Sequence, residues 1–97
     1  MNIIFEKMCE LIPFKTCIKE RQSEDFLIVA NGKLDIVYLN ETSRDFYDLC
    51  DGANSISQIR DKMLTLYDIS SDVLEDDIVA LIRDMQWNDL INLRKGV

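Results

Sequence analysis

Along this chain of 97 residues the hydrophobic positions change period once, from two to 3.6, near residue 40. Before that point the dominant stretch is Phe26 to Leu39, two β-prone apolar runs on either side of Asn31-Gly32. Asn-Gly supplies the positive φ angles of a type I′ turn, so the pattern predicts a tight hairpin. Its register places Ala30 opposite Lys33, Val29 opposite Leu34, Leu27 opposite Ile36, and Phe26 opposite Val37. One face then carries Leu27, Val29, Leu34, Ile36 and Tyr38, and the other Phe26, Ile28, Val37 and Leu39, with Asp35 among them. A hairpin lying on a core is polar on its open side, whereas both faces here are apolar. Each face needs a cover, from the chain itself, a second copy or a partner.

Residues 16–21 alternate loosely, and with Ser23-Glu24-Asp25 as a turn they predict a first strand. The expected sheet is antiparallel and three-stranded, at about 16–21, 26–31 and 33–39. Three helices follow. Asn40 as N-cap and Gly52 as terminator bound one at about 41–50, and a Ser55/Gln58 capping box starts one at about 56–67. Asp72 and Glu75 start a third at about 73–87, with Leu74, Ile78, Leu81, Ile82 and Met85 as its core stripe. One flank of that stripe holds Glu75, Val79, Arg83 and Gln86, with Asp76 beyond, and Trp87 sits opposite the core. Ahead of the sheet, Ile4, Met8, Leu11 and Ile12 fit a short amphipathic helix or an extended arm over 1–14, before Pro13 interrupts the pattern. Leu90-Ile91-Asn92-Leu93 tucks back on the body and 94–97 forms a tail.

Charge removes several function classes. Residues 1–40 are nearly balanced, and most of the net charge of −7 lies in the helical half. Nucleic acid and anionic membrane are therefore poor partners for it. No apolar run reaches the ~20 residues of a membrane span and no secretory signal is visible, so the expected location is the cytoplasm. The three cysteines, Cys9, Cys17 and Cys50, are widely spaced with no histidine in the chain, which favours reduced thiols over a metal or redox site and suggests no cofactor. Paired acids such as Asp76-Asp77 occupy consecutive helical positions and diverge, where hydrolytic carboxylates must converge. The expectation is no enzyme.

The runs Val37-Tyr-Leu-Asn-Glu-Thr42, Leu49-Cys-Asp-Gly52, Ser57-Gln-Ile59, Tyr67-Asp-Ile69 and Leu74-Glu-Asp-Asp-Ile78, continuing to Ile91, resemble the PqqD-like proteins, or RiPP recognition elements. The likeness covers roughly 15–93, and "Leu-Asn-Glu-Thr" and "Asp-Gly" are its most specific parts. It implies an α+β, winged-helix-like domain in which a three-stranded antiparallel sheet is followed by three helices. It also implies a non-catalytic adaptor that captures the leader of a ribosomally made precursor by β-strand addition and presents it to a separate modifying enzyme, such as a radical-type maturase or a protease. Carried onto this chain, the peptide-binding residues are Leu34, Asp35, Ile36, Val37 and Tyr38 on the strand edge, with Asp76, Val79, Arg83 and Gln86 as the groove wall. Arg83 would meet a leader carboxylate, and Asp76 and Asp77 a leader base. Two departures stand out: Asn88-Asp89 where the family commonly has glycine, and the extra segment 1–14.

The strongest rival is a winged-helix DNA-binding regulator, because the second and third helices are spaced like a helix-turn-helix. Six acids against one base in 71–89 oppose it. Packing in the body is the ordinary explanation of Ile36, Tyr38 and Val79, and a solvated surface charge that of Arg83. Two apolar sheet faces and a spare arm also leave a homodimer or strand swap open.

Overall fold

The computed structural model describes residues 2–17, 19–23, 27–33 and 35–95. The order is α1 (Ile3–Met8), β1 (Ile12–Lys15), β2 (Lys19–Gln22), β3 (Leu27–Ala30), β4 (Ile36–Leu39), α2 (Glu41–Asp48), α3 (Ile56–Leu64), α4 (Ser71–Trp87) and β5 (Ile91–Arg94). Strands β2, β3 and β4 form an antiparallel sheet in that order, and β1 pairs with β5 in a separate antiparallel ribbon. The architecture of the described residues is α+β, with a three-stranded antiparallel sheet followed by three helices as predicted and preceded by a fourth, the short helix that was one of the two readings of 1–14.

The additional helix and the ribbon come from the N-terminal segment. Asn2 caps α1 by accepting a hydrogen bond from the Phe5 N–H at 3.0 Å, and Phe5 is fully buried. The chain then turns at Leu11 and runs as β1 against β5, so Pro13 becomes a buried strand residue rather than a helix stop alone. The Leu90–Leu93 segment tucks back as expected, by joining a sheet. This ribbon also delays the first strand of the larger sheet: the Thr16 N–H donates to the Leu90 carbonyl at 2.9 Å, and β2 begins only at Lys19.

The hairpin register differs from the prediction. Ala30 faces Ile36, Val29 faces Val37, Ile28 faces Tyr38, and Leu27 faces Leu39. Neither Asn31 nor Gly32 takes a positive φ, so no type I′ turn forms. Asn31 instead organises a longer loop with its own side chain. Its Oδ1 accepts from the Lys33 N–H at 2.9 Å and the Asp35 N–H at 3.1 Å, and its Nδ2 donates to the Asn88 carbonyl at 2.8 Å. A shift of three in the register exchanges the faces of β4, because side chains alternate with period two. Leu27, Val29, Val37 and Leu39 now share the inner face, and Ile28, Ala30, Ile36 and Tyr38 the outer one. The predicted places of Phe26 and Leu34, and the Glu24-Asp25 part of the turn before β3, lie outside the described residues.

The inner face packs on the helices through Phe46 and Tyr47 of α2, Ile56, Ile59 and Met63 of α3, and Ile78, Ile82 and Met85 of α4. The Ser55/Gln58 capping box forms as read. Helix α2 already ends at Leu49; Gly52, at φ 79°, serves instead the crossing over β1, where its N–H donates to the Pro13 carbonyl at 3.0 Å. Helix α4 starts two residues earlier than predicted because Ser70, not Asp72, accepts from the Val73 N–H. Burial pushes the Cys50 thiol up to about 12, and burial together with the Cys17 sulfur raises the Tyr47 hydroxyl well above its ordinary range.

Candidate functional site

The two edges of the larger sheet have opposite character. The outer edge strand β2 reads Lys-Glu-Arg-Gln and is exposed throughout, the charged composition that discourages a further strand. The other edge strand, β4, reads Ile-Val-Tyr-Leu, with no charge within its length. In an antiparallel ladder the hydrogen-bonded pairs alternate. The Asn31 N–H donates to the Asp35 carbonyl at 3.1 Å, which sets the alternation: Val37 and Leu39 direct their backbone groups to β3, and Ile36 and Tyr38 direct theirs to the outside.

Beside that edge runs a trough walled by α4. Its central part, about 190 Å³, lies between Val37, Tyr38 and Leu39 on the strand side and Leu81, Asp84 and Asn88 on the helix side, with Met85 and Leu90 beneath. A second depression of about 220 Å³ adjoins it through Ser43, Leu81 and Asp84 and extends toward Asn40, Asp77 and Ala80. A third, of about 300 Å³, adjoins it through Asn88 and reaches the Asn31–Asp35 loop. The floor is apolar, while Asp77, Asp84, Asp35 and Asp89 line the rim. Lys33 offsets one of these acids by pairing with Asp89 at 3.5 Å. Asn40 holds the far end in place: it closes β4 and caps α2 by accepting from the Ser43 N–H at 3.0 Å.

The residues predicted for the site divide between two places. Asp35 and Val37 line the trough; Ile36 and Tyr38 contribute their backbone to its edge but turn their side chains to the outer sheet face, 61% and 63% exposed. Leu34 lies outside the described residues. The predicted helix wall does not face β4. Asp76 accepts from Asn2 Nδ2 at 2.6 Å, Val79 is buried, and Arg83 and Gln86 line a separate cleft of about 670 Å³ with Ile4 and Met8 of α1. Glu75 from the same flank is buried and pairs with Arg60 of α3 at 3.2 Å. A helical wheel defines a core stripe with two flanks, and periodicity is blind to which of them meets the sheet edge. Residues Asp77, Ala80, Leu81, Asp84 and Asn88 form the other flank. Asp77 was expected to meet a leader base and Leu81 to lie in the core stripe, while for Ala80, Asp84 and Asn88 as trough residues the spacing of three and four was the only signal.

Among the described residues no group of three or more metal-ligating side chains gathers. Nor, among the described residues, is any helix long and apolar enough to cross a membrane. A family model described as Coenzyme PQQ synthesis protein D (PqqD) matches residues 26–91, from the start of the β3 hairpin to the first residue of β5, a shorter span than the resemblance read from the sequence. Neither the curated proteins nor the solved structures yield a match to the chain.

Proposed function

We propose that this chain, which belongs to the PqqD family, is an accessory protein of peptide-derived natural product biosynthesis that binds a precursor leader along β4 and delivers it to a modifying enzyme. The observation that carries this reading is the apolar β4, an edge strand of its sheet, running beside a trough lined by Val37, Leu81 and Met85. A peptide added there as a strand gains backbone hydrogen bonds that are indifferent to sequence, and its alternate side chains enter the trough. Apolar leader residues suit the floor at Val37, Leu81 and Met85. A leader Lys or Arg suits the rim at Asp77 and Asp84, which refines the charge pairing expected from the family resemblance. Arg83, on the far flank, has no part in it.

A titration of the ¹⁵N-labelled protein with the leader of a short precursor encoded beside its gene tests the reading. The expected amide shifts concentrate in 36–39 and 77–88, and Leu81→Arg weakens binding roughly tenfold or more by filling the trough with a charge. Shifts gathered instead around Arg83 and Gln86 would move the site to the α1 side, and no shifts at all would remove leader capture. DNA binding has little support: α4 exposes Asp72, Asp76, Asp77 and Asp84 against the single base Arg83, a field that repels phosphate.

A further inference from the structure

We infer that the outer face of the larger sheet docks an amphipathic helix of a partner protein whose apolar stripe is flanked by acidic residues. This face is separate from the trough: it is the broad side of β2, β3 and β4 turned away from the helices. Ile28, Ala30, Ile36 and Tyr38 form its apolar middle, and Lys19 and Arg21, opposite Ala30 and Ile28 on β2, form one margin. Together with Glu20 and Val29 they line a concavity of about 590 Å³. Nothing among the described residues covers it, because α1, the segment expected to serve as a spare layer, packs on α4 instead.

Charge selects the occupant. Lys19 and Arg21 make no ion pair among the described residues, although the chain carries a net charge of −7. Glu20 between them turns to the other side and pairs with Lys15 at 3.9 Å. Two unpaired cations beside exposed isoleucine and tyrosine call for an apolar ridge with acids along one side. A second copy does not supply it. None of the outer-face residues of β2, β3 and β4 is acidic, so two-fold packing of this face on itself gives Lys19 and Arg21 no counter-charge from that face. Docking on another part of a copy is heterologous, building a ring or an open chain rather than a two-fold dimer. The dimensions suit a helix: three strands about 4.8 Å apart span roughly the ~10 Å diameter of one helix, and four-residue strands match two to three of its turns.

Two synthetic helices of about four turns test this, each with leucines along one face, one with glutamates beside the leucines and the other with lysines in their place. Added to the ¹⁵N-labelled full chain, the glutamate helix should shift the amides of 19–21, 28–30 and 36–38 and bind roughly tenfold more tightly than the lysine helix. The Lys19→Glu/Arg21→Glu variant alters only exposed side chains on an edge strand and should reverse that preference. Equal binding of both helices to the native protein, no binding of either, or a preference unchanged in the variant would overturn the proposal. So would dimerisation through this face, seen as outer-face shifts that depend on protein concentration before any peptide is added. Both tests are read in part on β4, and they are told apart by 77–88, which shifts only on leader capture, and by 19–21 and 28–30, which shift only on helix docking.

Discussion

Asp89 holds a left-handed backbone at φ 56°, where a side chain is strained. The reason is the end of α4. The Leu90 N–H donates back to the Met85 carbonyl at 2.8 Å and the Asp89 N–H to the Gln86 carbonyl at 3.1 Å, the pair of bonds that closes a Schellman motif with Asp89 at the position glycine favours. Asn88, the residue whose chemistry pointed to a left-handed cap, keeps φ at −89° and ends the helix one position earlier. Asp89→Gly should therefore stabilise the fold by about 1 kcal/mol, since the exposed pair with Lys33 that it removes contributes only a few tenths. Urea denaturation checks this; an unchanged or lower midpoint would mean that the aspartate side chain supports the turn. That the helix ends here was legible from the sequence. Which residue takes the strained angle was not, because it follows from how Leu90 must turn inward to reach the core.

At the scale of elements, α1, α3 and α4 are tied by one cation. The Arg60 guanidinium of α3 reaches Glu75 of α4 at 3.2 Å, lies 5.3 Å from the centre of the Phe5 ring of α1, and contacts Asp61 at 3.0 Å. Burial works against its charge, and these acids nonetheless hold it above its ordinary range. Glu75 is 6% exposed, so Arg60→Ala leaves a carboxylate out of water without its partner. A loss of roughly 3 kcal/mol is expected, while Arg60→Met combined with Glu75→Leu should recover most of it, because an apolar pair avoids desolvating either charge. Thermal denaturation of the two variants decides the matter: equal destabilisation would assign the loss to packing rather than to an orphaned charge. The position of Glu75 on a helical flank was readable in advance. Its burial was not, because burial depends on the angle at which α3 crosses α4.

For the molecule as a whole, the N-terminal segment is part of the body rather than an appendage. Phe5 and Pro13 are buried, β1 completes the ribbon with β5, and the Ile56 N–H donates to the Leu11 carbonyl at 2.9 Å. Losing one buried Phe typically costs 3–5 kcal/mol, about as much as a small domain has to spare. A chain lacking residues 1–15 should lose its cooperative thermal transition and its near-UV circular dichroism; a sharp transition within a few degrees of the intact protein would show that 16–95 folds alone. The family match begins only at residue 26, so α1, β1 and β2 surround the matched region with structure of their own.

The sequence by itself determined the order of the larger sheet and the three helices after it, the capping box at Ser55, the core stripe of α4, and the surplus of apolar surface on the β3–β4 hairpin. All of these are local or periodic, and periodicity is read within one element. Only the tertiary structure decided the hairpin register, because Asn31 bonds across to Asn88, 57 positions away, instead of forming the turn its neighbours favour. It alone decided which flank of α4 faces the open edge of β4, and so exchanged Val79 and Arg83 for Leu81 and Asp84 in the trough. It alone showed that the spare arm covers α4 and leaves the outer sheet face open. These choices depend on how elements of fixed hand pack against one another, and a pattern along a single chain is symmetric with respect to them.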